Sequence, residues 1–222
     1  MHVRRKQLIE FLDGGIAPGS HVGAINGLIG EDLLLGILSH AFKADGALSV
    51  TCIRSCLPGT LRGGRLDAQV HVEYGDREEL FQVEAKNWCG ASYQESKLPF
   101  GASTAIHERA NRTHWDHVVR LLADKTNRKL SKVLGKMVFA TKYANLNATP
   151  LCLMWWAVAS PGSDVHTAFS STTVDNQPVR VFSARNYLSS FPPHVDELEL
   201  DMPRVEERLR WLNSFLPLPA FS

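Results

Sequence analysis

The chain has 222 residues, of which 44% are hydrophobic and 21% charged, so its composition is that of a packed domain and excludes disorder as its main state. The 24 Lys and Arg residues nearly balance the 23 Asp and Glu residues, and the net charge of +1 gives no global argument for a nucleic-acid partner. Four cysteines are too few for a disulfide-stapled scaffold, which favours reduced thiols and a cytoplasmic protein. No membrane partner is expected, because Glu10 and Asp13 interrupt any signal-peptide core and the longest apolar stretch, 151–159, is about half a membrane span.

Hydrophobic periodicity and turn residues predict the secondary structure in chain order. Two helices come first, and the second is apolar on nearly all sides and therefore buried. Three strands follow, and Gly75-Asp76 between the last two is typical of a hairpin turn. These five elements are predicted over residues 3–12, 26–42, 48–57, 66–74 and 79–88.

The second half of the chain is predicted to alternate between helices and strands. The helices span 104–124, 126–134 (as a continuation or a separate helix), 183–190 and 203–215, and the strands span 136–141, 151–159 and 179–182. A helix followed by three strands, a helix and further strands predicts an α/β fold, in which helices flank a central mixed β-sheet. No linker divides the chain, so a single domain over 1–222 is expected.

The predicted hairpin has one apolar and one polar face, because side chains alternate along a strand. Asp67 and Gln69 lie on the polar face of its first strand, and Gln82, Glu84 and Lys86 lie on that of its second. A two-residue loop places Asp67 opposite Glu84, whereas a four-residue loop places it opposite Lys86. Directly opposed Cβ atoms are about 5 Å apart, which allows two carboxylates to share a cation.

Two neighbouring carboxylates repel each other unless a proton or a cation lies between them. Oxygen ligands favour a hard ion, so the expected metal is Mg²⁺, with Mn²⁺ as a substitute. Lys86 beside a metal-bound water would orient the water, lower its pKa or stabilise developing negative charge. Glu31 is in helical phase with Leu28, Leu35 and Phe42, so we expect it on the apolar face, where a carboxylate needs a metal or a basic partner.

Asp67, sixteen further residues and then Glu84-Ala85-Lys86 resemble the motif of the PD-(D/E)XK nuclease superfamily, and the resemblance covers about residues 26–142. It implies a restriction-endonuclease-like core of order αβββαβ, with residues 143–222 as a C-terminal α/β extension. It also implies metal-dependent hydrolysis of phosphodiester bonds, by a DNA endonuclease of a bacterial defence, restriction or repair system. The absence of a proline before Asp67 departs from the family pattern.

The resemblance assigns roles to four residues. Asp67 and Glu84 are the implied metal ligands, Lys86 lies beside the attacking water, and Glu31 is an auxiliary ligand or supports one. The bare Glu-x-Lys pattern is unspecific, since Glu95-Ser96-Lys97 matches it in a predicted loop. The alternative for Glu84 and Lys86 is a cross-strand ion pair on a solvated sheet face. Alternatives for the whole protein are a catalytically silent nucleic-acid-binding or assembly module, and an RNA-directed or effector-gated nuclease.

A local surplus of positive charge follows the motif. Ten basic and three acidic residues lie between Lys97 and Lys142, which would neutralise a phosphate backbone, although a solvated helix face gives the same pattern. We expect a nucleic-acid partner, DNA first, and by analogy a homodimer that would present two sites to two strands. His107, His114 and His117 lie nearer the apolar side of their helix, which favours core or site-lining roles. The candidate substrate-binding residues are Gln69, Gln82, Arg109, Arg112, Lys125, Arg128, Lys129 and Lys132.

Overall fold

The computed structural model describes residues 1–12, 29–53, 67–86, 98, 100–123, 148–174 and 176–215. The helices are α1 Arg5–Leu12, α2 Glu31–Ala44, α3 Thr104–Ala123, α4 Ala184–Ser190 and α5 Pro203–Phe215. The strands are β1 His2–Arg4, β2 Ser49–Ile53, β3 Ala68–Glu73, β4 Glu78–Lys86, β5 Thr149–Met154, β6 Phe169–Val174, β7 Gln177–Ser183 and β8 Glu197–Glu199.

Six strands form one mixed sheet in the order β2-β3-β4-β5-β7-β6. β2, β3 and β4 are an antiparallel meander, β5 is parallel to both β4 and β7, and β6 is antiparallel to β7. The connection from β4 to β5 contains α3, as a parallel pair requires a crossover. The predicted α/β fold around a central mixed sheet is therefore confirmed. β4 lies between β3 and β5. β5 begins at Thr149 and therefore lies beyond residue 142, at which the resemblance ends the core.

Helix α2 packs on one face of the sheet through aromatic contacts. The ring of Phe42 stacks on Phe81 and also contacts Phe169, each at a centroid distance of 5.3 Å. The chain then turns directly into β2, and the Leu48 amide donates to the carbonyl of Glu73 at 2.8 Å. The C-terminal end of α2 therefore lies at the β3–β4 turn, and its N-terminal end points toward the opposite end of the hairpin.

The crossover helix α3 contributes a second buried stripe, which includes Trp115, Val118 and Leu122. These residues belong to the same continuous core as the strands and α2. Because α2 lies on the first face, we infer that α3 covers the opposite face, where Val179 and Val181 of β7 are completely buried. The sheet is thus enclosed between two helical layers, as expected for strands joined by helical crossovers.

The N-terminal prediction needs a correction. Residues 2–4 are not helical but form β1, which pairs antiparallel with β8, and the helix predicted over 3–12 begins at Arg5. The N-terminal ammonium of Met1 extends this pairing by donating to the carbonyl of Leu200 at 2.8 Å. A strand of three residues whose partner is almost 200 positions away has no local periodicity from which it could be recognised.

Two other differences concern the C-terminal half. The strand predicted over 151–159 ends at Met154, although the following residues stay buried. Side chains take the place of ladder partners there: His114 Nδ1 donates to the carbonyl of Ala157 at 2.7 Å, and Asn186 Nδ2 donates to that of Val158 at 3.1 Å. β6 was not predicted, because an edge strand rich in Ser and Thr lacks clear alternation.

Several predicted elements agree with the structure within a few residues. α2 ends at Ala44, close to the predicted end at residue 42, and α5 spans 203–215 with Pro203 at its first position, where proline is favoured. Ser183 is the N-cap of α4, since its hydroxyl accepts a hydrogen bond from the Asn186 amide. The predicted segments 126–134 and 136–141 lie outside the described residues. Among the helices that the structure describes, none has the length and apolar character needed to cross a membrane.

Candidate active site

The register of the β3–β4 hairpin decides which side chains face each other. Gln69 pairs with Gln82 and Ala68 pairs with Val83, which is the register of a two-residue loop. The Tyr74 amide closes this loop by donating to the carbonyl of Arg77 at 2.8 Å. One residue further along, the same register sets position 67 opposite position 84. The first of the two predicted registers is therefore correct.

Asp67 lies immediately before β3 and is half-buried. Its Oδ2 accepts a hydrogen bond from the amide of Ala85 at 2.7 Å. If the antiparallel ladder continued, the Ala85 amide would donate to the main-chain carbonyl at position 66. The Asp67 carboxylate is the acceptor of this amide instead. This bond holds the Asp67 carboxylate beside β4, at the residue that directly follows Glu84.

Glu84 is almost fully buried, with 2% of its surface exposed. It lies on the central strand β4, between β3 and β5, and its backbone is in register with Cys152. Glu84 therefore does not lie on a solvated sheet face. A carboxylate at this depth belongs to a polar site inside the protein, because burial of a charge requires compensation.

Gln82 and Gln69 extend this polar face along the hairpin. The two residues are directly opposite each other, at a position of the ladder where side chains approach most closely. Gln82 is completely buried, and neither atom of its amide has a hydrogen-bond partner among the described residues. Most buried side-chain amides have a hydrogen-bond partner. With both Gln82 and Glu84 buried on it, this face of β4 is unusually polar for a central strand. The structure thus places both predicted glutamines on the face of the candidate site.

Lys86 is the last residue of β4, and its backbone is in register with Met154. Strand alternation assigns it to the same face as Gln82 and Glu84. Its side chain lies outside the described part of the structure, so the position of its amine stays a prediction.

The expectation for Glu31 needs a correction, because this residue is exposed at the first position of α2. The buried acid is its neighbour Asp32, which is 6% exposed and contacts Arg208 Nη1 of α5 at 3.2 Å. α2 is apolar on nearly all sides, so the helical phase did not distinguish the two acids. Glu31 lies about 16 Å before Phe42 along the helix axis, and therefore toward the end of the sheet that carries Asp67.

The basic candidates are described only in part. Arg109 and Arg112 are exposed on α3, where they can reach a ligand in solution. Lys125, Arg128, Lys129 and Lys132 lie outside the described residues.

Core or site-lining roles were predicted for the three histidines of α3, and two of them, His107 and His114, are buried in the core. His107 Nε2 donates to Asn186 Oδ1 at 2.8 Å, and His114 contacts a main-chain carbonyl and packs against the ring of Trp156. Burial lowers the pKa of His107 to about 4, although the hydrogen bond to Asn186 acts in the opposite direction. His107 is therefore neutral near physiological pH.

A second group of potential ligands lies at the turn end of the hairpin and was not predicted. His71, Glu73 and Glu78 place one ligand atom each within 4.8 Å of one another. His71 Nε2 is 3.2 Å from Glu78 Oε2, and Ser49 Oγ donates to Glu73 Oε2 at 2.9 Å. Their alternate positions on two paired strands could have revealed this group. It is partly exposed, and its members contact each other and Ser49.

In comparisons with known proteins, no family model, no curated protein and no solved structure matches this chain.

The chemistry of the donor set fits a divalent cation at the Asp67–Glu84 end of the hairpin. Both residues are carboxylates, which supply the oxygen ligands that Mg²⁺ and Mn²⁺ prefer. The register sets positions 67 and 84 opposite each other, and a cation held between two neighbouring carboxylates would offset their repulsion.

Proposed function

We propose that this protein is a metal-dependent nuclease that hydrolyses phosphodiester bonds, with DNA as its expected substrate. The observation that carries the proposal is the position of Asp67, whose Oδ2 is hydrogen-bonded at 2.7 Å to the amide of Ala85, beside the buried Glu84. The described order of helix, three strands, helix and strand over residues 31–154 is also the order of a restriction-endonuclease-like core, and it supports the proposal.

Asp67 and Glu84 would hold Mg²⁺ or Mn²⁺. When bound there, the metal supplies positive charge to the phosphate and makes a bound water more acidic. Asp67 is oriented by the Ala85 amide, and Glu84 is held by two neighbouring strands, so neither carboxylate needs to reorganise during the reaction.

Lys86 would contribute a positive charge from the same face. Its ammonium group would stabilise the negative charge that develops on the phosphate oxygens, and it would orient the attacking water by donating hydrogen bonds. The exposed guanidinium groups of Arg109 and Arg112 would bind neighbouring phosphates of the nucleic acid. These contacts would add affinity without base specificity, because phosphates carry no sequence information.

The first testable prediction concerns the three motif residues. Asp67→Asn, Glu84→Gln and Lys86→Ala should each lower the cleavage rate by ~10²-fold or more, because each removes a charge that the transition state needs. The measurement is cleavage of circular duplex, linear duplex, single-stranded DNA and RNA, each with Mg²⁺ or Mn²⁺. EDTA should abolish cleavage of every substrate.

The matched control is Glu78→Gln, which removes a carboxylate of the same hairpin from the separate His71 group. It should cleave at the rate of the unmodified protein. Full activity of Glu84→Gln would contradict the site. If the unmodified protein cleaves none of the substrates but still retards them in a gel, the silent binding module is the better interpretation.

A further inference from the structure

A cavity of about 200 Å³ lies at the carboxyl ends of β5 and β7, between α1, α4 and the residues that precede α3. We propose that this cavity binds the phosphate monoester group of a small molecule. We call it the arginine pocket, because two buried arginines, Arg5 and Arg185, contribute to its lining together with His107, His166 and Phe100. The proposal does not depend on the nuclease assignment.

Arg5 is the first residue of α1 and is only 2% exposed. Its Nη1 donates to the carbonyl of Phe191 at 2.7 Å, and its Nε has no hydrogen-bond partner among the described residues. Burial lowers the pKa of Arg5, and the charge of Asp196 acts in the opposite direction. The Oδ1 of Asp196 accepts a hydrogen bond from the amide of Lys6 at 2.9 Å. A buried guanidinium with an unused donor is suited to a charged acceptor, which forms stronger hydrogen bonds than a carbonyl.

Arg185 brings a second buried guanidinium to the same cavity, at 3% exposure. Its Nη2 donates to the carbonyl of Leu98 at 3.0 Å, and its Nη1 donates to Ser189 Oγ. Its amide donates to the carbonyl of Trp155 at 2.9 Å, which fixes the residue at the end of β5. The lining of the cavity thus includes two guanidinium groups, and hydrogen bonds from such charged donors to an anion are stronger than those between neutral groups. Guanidinium groups bind phosphate with two parallel hydrogen bonds, which gives this anion geometric preference.

Three further features favour a phosphate. His166 packs its ring at 5.0 Å from that of His107, and its buried Nδ1 has no hydrogen-bond partner within the described parts of the chain. Gly101 and Ala102 in the lining precede the 20-residue helix α3, whose first turn presents amide groups and a positive dipole end. The carboxyl ends of parallel strands are also where open α/β sheets commonly bind ligands.

The walls of the arginine pocket indicate that the phosphate is attached to an organic group. The rings of Phe100 and Phe191 lie 5.6 and 6.0 Å from the guanidinium carbon of Arg5. Leu188 and Pro193 add apolar surface. A bare phosphate would leave much of the volume and both rings without contacts, whereas a monoester such as a nucleoside 5′-monophosphate would also cover the apolar wall.

Calorimetric titration of the full chain tests the proposal, with inorganic phosphate, adenosine 5′-monophosphate and adenosine as probes at constant ionic strength. We expect adenosine 5′-monophosphate to bind more tightly than inorganic phosphate, and at least tenfold more tightly than adenosine. Phosphate-dependent protection from hydrogen exchange should appear at residues 100–107 and 185–191. Equal binding of adenosine and its monophosphate, or no binding of either phosphate probe, would overturn the proposal.

A pair of matched variants locates the ligand without removing a buried side chain. Ala102→Glu places a carboxylate in the pocket lining and should weaken binding of adenosine 5′-monophosphate at least tenfold. Ala105→Glu adds the same charge to the exposed first turn of α3 and should bind within about twofold of the unmodified protein. Unchanged affinity of a folded Ala102→Glu variant would overturn the assignment. If that variant does not fold, the hydrogen-exchange measurement on the unmodified protein decides.

Discussion

The side chain of Asn186 connects three parts of the chain. Its Oδ1 accepts from His107 Nε2 at 2.8 Å, and its Nδ2 lies 3.0 Å from both Asn111 Oδ1 and the carbonyl of Thr167. Since a carbonyl oxygen only accepts, Nε2 carries the proton of the neutral His107 ring. Burial then disfavours a second proton on this ring, which explains the direction of its pKa shift.

This shift predicts how stability depends on pH. The pKa of His107 is about 4 in the folded protein, against 6.5 for an ordinary histidine. The unfolded chain therefore binds more protons between these values, so the contribution is complete above about pH 6.5 and is lost as the pH falls toward about 4. The loss should be about 2 kcal/mol of unfolding free energy.

Urea unfolding at about pH 7.5 and about pH 4.5 measures this contribution, with His107→Gln as the comparison. Glutamine keeps a donor for Asn186 but does not titrate. The variant should lose about 2 kcal/mol less than the unmodified protein between the two pH values. An identical pH dependence of both proteins would show that His107 does not titrate as stated.

At the scale of elements, the contact between α2 and the segment before α5 is unusually close. A Cβ atom on Gly36 would lie 3.0 Å from Met202 Cγ and 3.2 Å from the carbonyl oxygen of Asp201. A glycine in the middle of a helix costs about 1 kcal/mol relative to alanine. Close packing against main chain is therefore the reason for glycine at this position.

Gly36→Val should lower the unfolding free energy by about 2–3 kcal/mol, because its branched side chain must displace the backbone of residue 201. The exposed Lys43→Val change in the same helix is the control, and it should cost about 0.5 kcal/mol from helix propensity alone. Chemical denaturation of both variants measures the difference. Equal costs would mean that the close approach at Gly36 has no energetic consequence.

The core of the whole molecule is continuous across the sheet. Phe42 of α2 contacts Phe81 of β4 and Phe169 of β6, which are separated by 88 positions in the sequence. Buried residues of α2, α3 and the central strands belong to one cluster. The described part of the chain is therefore expected to unfold as a single cooperative unit.

Phe42→Ala tests this cooperativity. It should lower the unfolding free energy by about 3–5 kcal/mol, because it removes a ring that is 1% exposed and leaves a cavity. Far-ultraviolet circular dichroism and tryptophan fluorescence should shift together, since the buried Trp155 and Trp156 belong to the same cluster. Ile106→Ala, at a position 50% exposed, should change the stability by less than about 0.5 kcal/mol. Separate transitions of the two signals would indicate independent domains.

The hairpin was predictable because its determinants are local. Strand alternation and the Gly75-Asp76 turn lie within about 20 residues, and they place Asp67 and Glu84 on one face in either of the two predicted registers. The structure decided between these registers. The β1–β8 pair and the choice of Asp32 over Glu31 for the buried position were not predictable. Both depend on segments that are distant in the sequence, as Arg208 and residues 197–199 show.

The sequence by itself determined the α/β class and the polar face of the hairpin, since both follow from the backbone preferences and periodicity of neighbouring residues. Only the tertiary structure decided that Glu84 is buried, that the Ala85 amide binds Asp67, and that Arg5 and Arg185 share a cavity. The physical reason is that burial and hydrogen-bond partners across the fold depend on which distant surfaces pack together, and local periodicity contains no information about that choice.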